Sequence, residues 1–364
     1  MRILVAPDKF AGTLTAVQAA DAIAAGWARQ CPDDELELAP MSDGGPGFVD
    51  VLHAAVGGRL LGVTVRGPLG DPVPATVLLS GTTAYVEAAQ ACGLHLTRGR
   101  QPEAASTYGV GEAVRAAVDE GAATVVVGLG GSGTTDGGAG LLAALGCFGD
   151  RRLDGGVAPL DGIGSLDLAP AVEFLDDVRL VAATDVDNPL TGLFGAAKTY
   201  GPQKGIPEAR LPAVDGILEA FAGAAGHRGR KVRLEPGAGA AGGLGFAVLL
   251  LGGTREPGIA LVAEKVGLAR RAARADLVVT GEGAFDFSSR SGKVPYGVAE
   301  VAAEVLRPCV AIAGQVHVGS REMRALGIEA AYSLVDAVGE ERAFADPAGA
   351  LADVAARVAR TWSR

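Results

Sequence analysis

The chain has few of the residues that mark a specialised compartment or chemistry. Its four cysteines, Cys31, Cys92, Cys147 and Cys309, show neither CxxC pairing nor a histidine at zinc-ligand spacing. This excludes a disulfide scaffold and a zinc ribbon, and leaves small hydrophobes in a reducing compartment. Aromatic residues make up only 5% and the net charge is −10, so no basic, aromatic-interleaved stripe is present to hold nucleic acid. The apolar run Phe246–Leu251 is far too short to span a bilayer, and MRILVAPD runs straight into a strand pattern without signal-peptide regions. A cytoplasmic protein without a membrane partner is expected. GxSxG is absent, and no Gly-Lys-Ser/Thr follows a glycine loop at Walker spacing.

Glycine is what the chain has in excess: 55 residues, roughly twice the ~7% average share. The glycines that carry information cluster with polar residues at strand ends. With 364 residues and a 49% hydrophobic share, the chain exceeds what one core covers, about 250–300 residues, so two domains are expected.

Arg2–Pro7, Glu35–Pro40, Asp276–Thr280, Cys309–Ala313 and Ala330–Leu334 read as short buried strands alternating with helical stretches such as Ala16–Arg29, which Thr13 or Thr15 could cap. Such spacing implies βαβ units and a parallel sheet. The middle differs. Arg59–Arg66, Pro72–Ser80 and Thr83–Ala88 alternate across the hairpin turns GPLGDP and SGTT, and strands at Thr124–Gly128 and Val178–Ala183 follow. The expected fold class is α/β: a discontinuous flavodoxin-like domain from residues 1–56 and 268–364, with a mixed α/β domain inserted at 57–267. Ligands in such sheets lie beyond the carboxyl ends of strands, so a cleft between the domains is expected.

The stretch AATVVVGLGGSGTTDGGAGLLAALG, Ala122–Gly146, is the most informative segment. A β-branched strand, Thr124–Gly128, empties into a glycine loop with three hydroxyls and Asp136, and an Ala/Leu helix begins near Ala139. Glycines allow close backbone approach, and a helix N-terminus offers unpaired N–H groups and a favourable dipole to an anion. Nucleotide phosphates are assigned to Gly130, Gly131, Ser132, Thr134, Gly137 and Gly138, assisted by Gly239 and Gly242 of PGAGAAGGLG. That second loop matches a dinucleotide fingerprint formally, but it lacks the preceding strand and a well-placed acidic partner.

Polar clusters recur after the other strands, in APDKF, PMSDGGPG, AATDVDNPLTG, TYGPQKG and TGEGAFDFSSRSGK. Asp8, Asp43 and Asp187 supply carboxylates in these loops, with Asp187 or Asp43 the leading candidates for catalytic base, and both are also the candidate Mg²⁺ ligands. Lys9, Lys204 and Lys293 are the cations for a transferred phosphoryl group or a substrate carboxylate. Asp185, Asn188, Glu282, Asp286 and Arg290 are placed at the substrate.

In chain order, APDKF, SDGGPGFVDVL, GPLGDPV, TYGVGE, GLGGSGTTDGGAGLLAALG, ATDVDNPLTG, YGPQKG, PGAGAAGGLG and DLVVTGEGAFD…GKVPYGVA resemble the type I glycerate kinase family over Met1 to about Val335. The resemblance implies ATP- and Mg²⁺-dependent phosphorylation of D-glycerate, with 2-phosphoglycerate expected over 3-phosphoglycerate. It also likens the inserted domain to restriction-enzyme folds. The chain departs from the pattern at Ala11, where family members usually carry lysine, at Pro46, usually glutamate, and at Ala284, usually arginine. These departures keep two alternatives open: a kinase of another small hydroxy acid, or a non-catalytic small-anion sensor. A monomer or a homodimer is expected.

Overall fold

A computed structural model describes residues 1–10, 12–286 and 293–363. In chain order its strands are β1 (Arg2–Pro7), β2 (Glu35–Leu38), β3 (Arg59–Arg66), β4 (Pro72–Ser80), β5 (Thr83–Glu87), β6 (Thr124–Gly128) and β7 (Phe148–Gly149). They continue with β8 (Leu166–Asp167), β9 (Arg179–Ala183), β10 (Thr254–Glu256), β11 (Leu277–Phe285), β12 (Cys309–Val316) and β13 (Ala330–Ser333). The chain divides into two units: Met1–Asp43 with Asp50–Val56 and Gly258–Arg364, and Gly44–Val49 with Gly57–Pro257. The helix Gly258–Val266 therefore belongs to the terminal unit, so the chain returns there at Gly258 rather than at 268.

The terminal unit is built on five parallel strands in the order β13-β12-β11-β1-β2. Counted within this unit, that is the 2-1-3-4-5 order of doubly wound, flavodoxin-like sheets, whose order reverses between β1 and β11. β1 is buried from Ile3 to Pro7 because it is flanked on both sides and covered on both faces. The following helix, Ala16–Gln30, starts at a capping box: Gln18 N donates to Thr15 Oγ1 at 3.2 Å, and Thr15 N to Gln18 Oε1 at 3.0 Å. Thr13 instead donates its hydroxyl to Phe10 O. The helix packs its Ala19, Ile23 and Trp27 face on Leu351, Val354 and Val358 of the helix Pro347–Trp362. Gly26 permits the close crossing, since an added Cβ there would lie 1.9 Å from Ala352 O.

The inserted unit holds a six-stranded mixed sheet, β10-β9-β6-β5-β4-β3. β3, β4 and β5 form an antiparallel meander, and β5, β6, β9 and β10 run parallel. Its core joins Val125 and Val127 of β6 to Leu141 and Leu142 of the helix Ala139–Ala144 and to Phe221 and Phe246. The two phenylalanine rings meet edge-on at 5.9 Å. Among the described residues no helix is long and apolar enough to cross a membrane.

Candidate active site

In the terminal unit, charged groups gather at the carboxyl edge of the sheet, on the two strands that flank the order reversal. Asp8 follows β1, and its amide donates to Gly281 O of β11 at 2.8 Å, prolonging the strand pairing. Lys9 Nζ lies 3.4 Å from Asp8 Oδ1 and 3.5 Å from Asp43 Oδ1. Asp43 arrives on the loop after β2, which keeps pairing with β1 through Met41 N to Pro7 O. Glu282, near the end of β11, is buried, and its Oε2 is 3.5 Å from Lys293 Nζ. Lys293 precedes the helix Val294–Glu304 and lies equally far from Asp286 Oδ1.

Asp8 is buried, and burial pushes its carboxyl up to about 7; Lys9 opposes the rise, while Asp43 and Glu282 add to it. Burial works against the Lys9 ammonium, but the carboxylates of Asp43 and Asp8 outweigh it and raise its pKa. The result is a carboxyl poised near neutrality beside a firmly charged lysine, an arrangement suited to taking a proton from a hydroxyl.

The glycine loop of the inserted unit has two distinct halves. In the second half the anion position at the helix start is filled from within. Asp136 accepts from Thr107 N and Oγ1, Gly138 N and Gly140 N at 2.8, 2.8, 3.0 and 3.2 Å. Leu141 N goes to Thr107 Oγ1. Gly137 and Gly138 hold φ of 68° and 76°, and Gly137 N donates to Gly242 O at 2.9 Å. Gly242 presses on the loop so closely that an added Cβ would meet Thr134 O at 2.0 Å, and Gly239 packs likewise on Pro189 O. Gly130 N donates to Gly44 O, and Gly131 abuts Pro46. These glycines let three loops interlock.

The first half is different. Lys204, on the short turn Pro202–Lys204, is 3% exposed. It extends its ammonium to Ser132 Oγ at 3.1 Å and Thr134 O at 2.6 Å. Burial lowers its pKa to about 8.

Of the remaining expected residues, Asp185, Asp187 and Asn188 belong to the inserted unit. Asp187 is 77% exposed and paired with Arg255 at 2.6 Å; it belongs to the inserted unit, whereas Asp43 belongs to the terminal unit. Asp185 neighbours it on the loop after β9. Asn188 ties its loop to the following helix, Ala196–Tyr200, donating to Phe194 O and Thr199 Oγ1 and accepting from Tyr200. Arg290, like Ala11, lies outside the described residues. Among the described residues no group of three acidic, histidine or cysteine side chains could hold a metal ion. Sequence reasoning missed Glu87, a buried carboxylate that accepts Gly47 N at 3.0 Å and so fixes the GGPG turn. A lone glutamate closing a strand gives no signal of this in sequence.

The family model described as "Glycerate kinase family" matches residues 3–363. The chain belongs to the glycerate kinase family. A glycerate kinase of Bacillus subtilis is 41% identical, over 94% of this chain and 93% of the relative. A glycerate 2-kinase of Escherichia coli is 37% identical, over 93% and 92%. A crystal structure from Salmonella typhimurium LT2, described as a candidate glycerate kinase 2, superposes with a TM-score of 0.81 at 35% identity, covering 99% of this chain and 98% of that one. As a member of the glycerate kinase family, the protein is a phosphotransferase acting on an alcohol group.

Proposed function

We propose that the protein transfers the γ-phosphoryl group of ATP to the 2-hydroxyl of D-glycerate, giving 2-phosphoglycerate and ADP in the cytoplasm. The observation that carries this reading is the Asp8–Lys9–Asp43 group, with Glu282 and Lys293, at the order reversal of a parallel sheet. The Escherichia coli relative, named a glycerate 2-kinase, favours the 2-position.

Asp8 is the base: its carboxylate takes the hydroxyl proton as the oxygen bonds to phosphorus and the β–γ bridging bond breaks. This departs from the expectation that put Asp43 or Asp187 first, because the Asp8 carboxyl is buried and held near 7, whereas Asp187 is 77% exposed and paired with Arg255. Lys9 and Lys293 offset charge on the phosphoryl group and on the glycerate carboxylate. Phosphoryl transfer depends mostly on such positioning and neutralisation. Magnesium fits as a companion of the nucleotide phosphates, held by them and by one or two carboxylates such as Asp43, which matches the lack of a three-ligand protein cage among the described residues. It would supply charge neutralisation at the phosphates.

A coupled ADP-release assay with D-glycerate, followed by ³¹P NMR of the product, tests the reading. Turnover to a 2-phosphorylated product is expected. Binding of D-glycerate without turnover would make the protein a sensor, and a 3-phosphorylated product would overturn the regiochemistry alone.

A further inference from the structure

The first half of the glycine loop poses a problem that its packing does not answer. Lys204 carries a buried ammonium that makes no ion pair among the described residues; its two bonds go to a hydroxyl and a carbonyl. A buried charge is costly unless paired. Around it, other polar groups also lack partners. Among the described residues the Thr135 hydroxyl, on a residue 1% exposed, has none, and the buried Thr134 hydroxyl faces only the Cys92 sulfur, a weak acceptor. Among the described residues no protein acceptor meets the amides of Ser132, Thr134 or Thr135. Two hydroxyls and three amides on the short stretch Ser132–Thr135, with the Lys204 ammonium brought against it from the Pro202–Lys204 turn, form a donor set in need of an oxyanion.

We propose that Lys204 with Ser132, Thr134 and Thr135 forms a site for one oxyanion group of a reactant, phosphoryl or carboxylate, and that this anion is the missing counter-ion of Lys204. The inference rests on the reading of the chain as an ATP-dependent kinase of a hydroxy acid. It moves the loop's ligand from the helix N-terminus, which Asp136 already fills, to the Ser132–Thr135 apex. The titratable groups facing Lys204 are Cys92, whose thiol burial pushes up to about 12 and so leaves neutral, and Asp136. Lys204 itself, lowered to about 8 by burial, sets the pH range over which the site works.

Isothermal titration of the full chain with tripolyphosphate and with D-glycerate tests this in the wild type, Lys204→Met and Thr135→Val. Lys204→Met should weaken one of the two probes by about tenfold or more, the weight of a charge-assisted contact. Thr135→Val should weaken the same probe without loss of Tm, which a merely structural hydroxyl would not do; it also carries the test if Lys204→Met does not fold. Loss confined to tripolyphosphate assigns the nucleotide phosphates, and loss confined to D-glycerate assigns the acceptor carboxylate. In the wild type the affected affinity should fall by about tenfold between pH 7 and pH 9, as Lys204 deprotonates, with proton uptake on binding. If both variants fold and bind both probes like a wild type that turns over D-glycerate, the site is overturned and the kinase reading stands. A wild type that binds neither probe overturns both.

Discussion

The carboxylate of Asp136 accepts both the backbone amide and the side-chain hydroxyl of Thr107, each at 2.8 Å. Through it the segment before the helix Tyr108–Asp119 is tied to the start of the helix Ala139–Ala144. The carboxylate is fully buried; burial raises its pKa, and the bonds from Thr107, Gly138 and Gly140 oppose that rise.

Asp136→Asn should therefore act on stability before chemistry. It replaces an acceptor by an amide whose NH₂ faces donors and strips charge assistance from four bonds. A loss of about 2–4 kcal/mol is expected, the scale of buried polar groups left unsatisfied. Urea unfolding measures it, and an unchanged midpoint would contradict the capping role.

Gly242 and Gly216 should respond to alanine with opposite signs. Gly242 has φ of 70° and faces Thr134 O. An alanine there pays about 1–2 kcal/mol for the left-handed backbone alone, and it also displaces the carbonyl that Lys204 holds. Tm should fall, and the KM of the reactant whose anion the Lys204 site holds, ATP or D-glycerate, should rise. Gly216 lies inside the helix Leu211–Ala224, with nothing within 4 Å of an added Cβ. Gly216→Ala should stabilise by about 0.5–1 kcal/mol and leave kinetics unchanged.

The sequence showed these elements unevenly, for physical reasons. β6 was legible because Thr124–Gly128 is a β-branched run ending at glycine. β10 was not, since a three-residue edge strand, Thr254–Glu256, carries no apolar pattern. β11 extends past Thr280 through Gly281 and Gly283, where the strand is written in residues that normally signal a turn. At the site, the loops that matter could be picked out by composition, but the state of each side chain could not. Asp8 and Asp187 both follow strands in glycine-containing loops, yet one is buried near a lysine and the other is exposed on Arg255. Lys204, expected as a cation for a phosphoryl group or a substrate carboxylate, is buried, and nothing in the spacing of PQK shows that burial. Such distinctions depend on what distant segments pack over each residue, and spacing along the chain does not encode that.

Asp8→Asn should cut kcat by about 10²–10⁴-fold, the usual contribution of a general base. In the wild type kcat/KM should rise with pH up to about 7, where the Asp8 carboxyl loses its proton, and then level off. Stability should move the other way. The folded pKa, about 7, exceeds the ordinary value of 3.8, so the contribution of this group is full below 3.8 and lost as pH rises through 7. Asp8→Asn should thus be more stable than the wild type at alkaline pH, with the gap closing in acid. A variant that is both inactive and less stable at alkaline pH would point to a structural carboxylate.

Lys9→Met separates charge neutralisation from proton transfer. Lys9 is the cation that lowers the Asp8 pKa against burial, and it touches Asp43 at 3.5 Å. Its removal should shift the acid limb of kcat/KM upward by about one pH unit or more, because Asp8 then faces Asp43 and Glu282 with no ammonium beside it. The plateau above that limb should also fall by about 10²–10³-fold if Lys9 offsets charge on the transferred phosphoryl group. The two effects are independent readouts of one side chain. A lowered plateau with an unmoved limb would assign the limb to a group other than Asp8. A moved limb with an undiminished plateau would leave Lys9 as a positioning residue for Asp8, and the neutralising role would pass to Lys293.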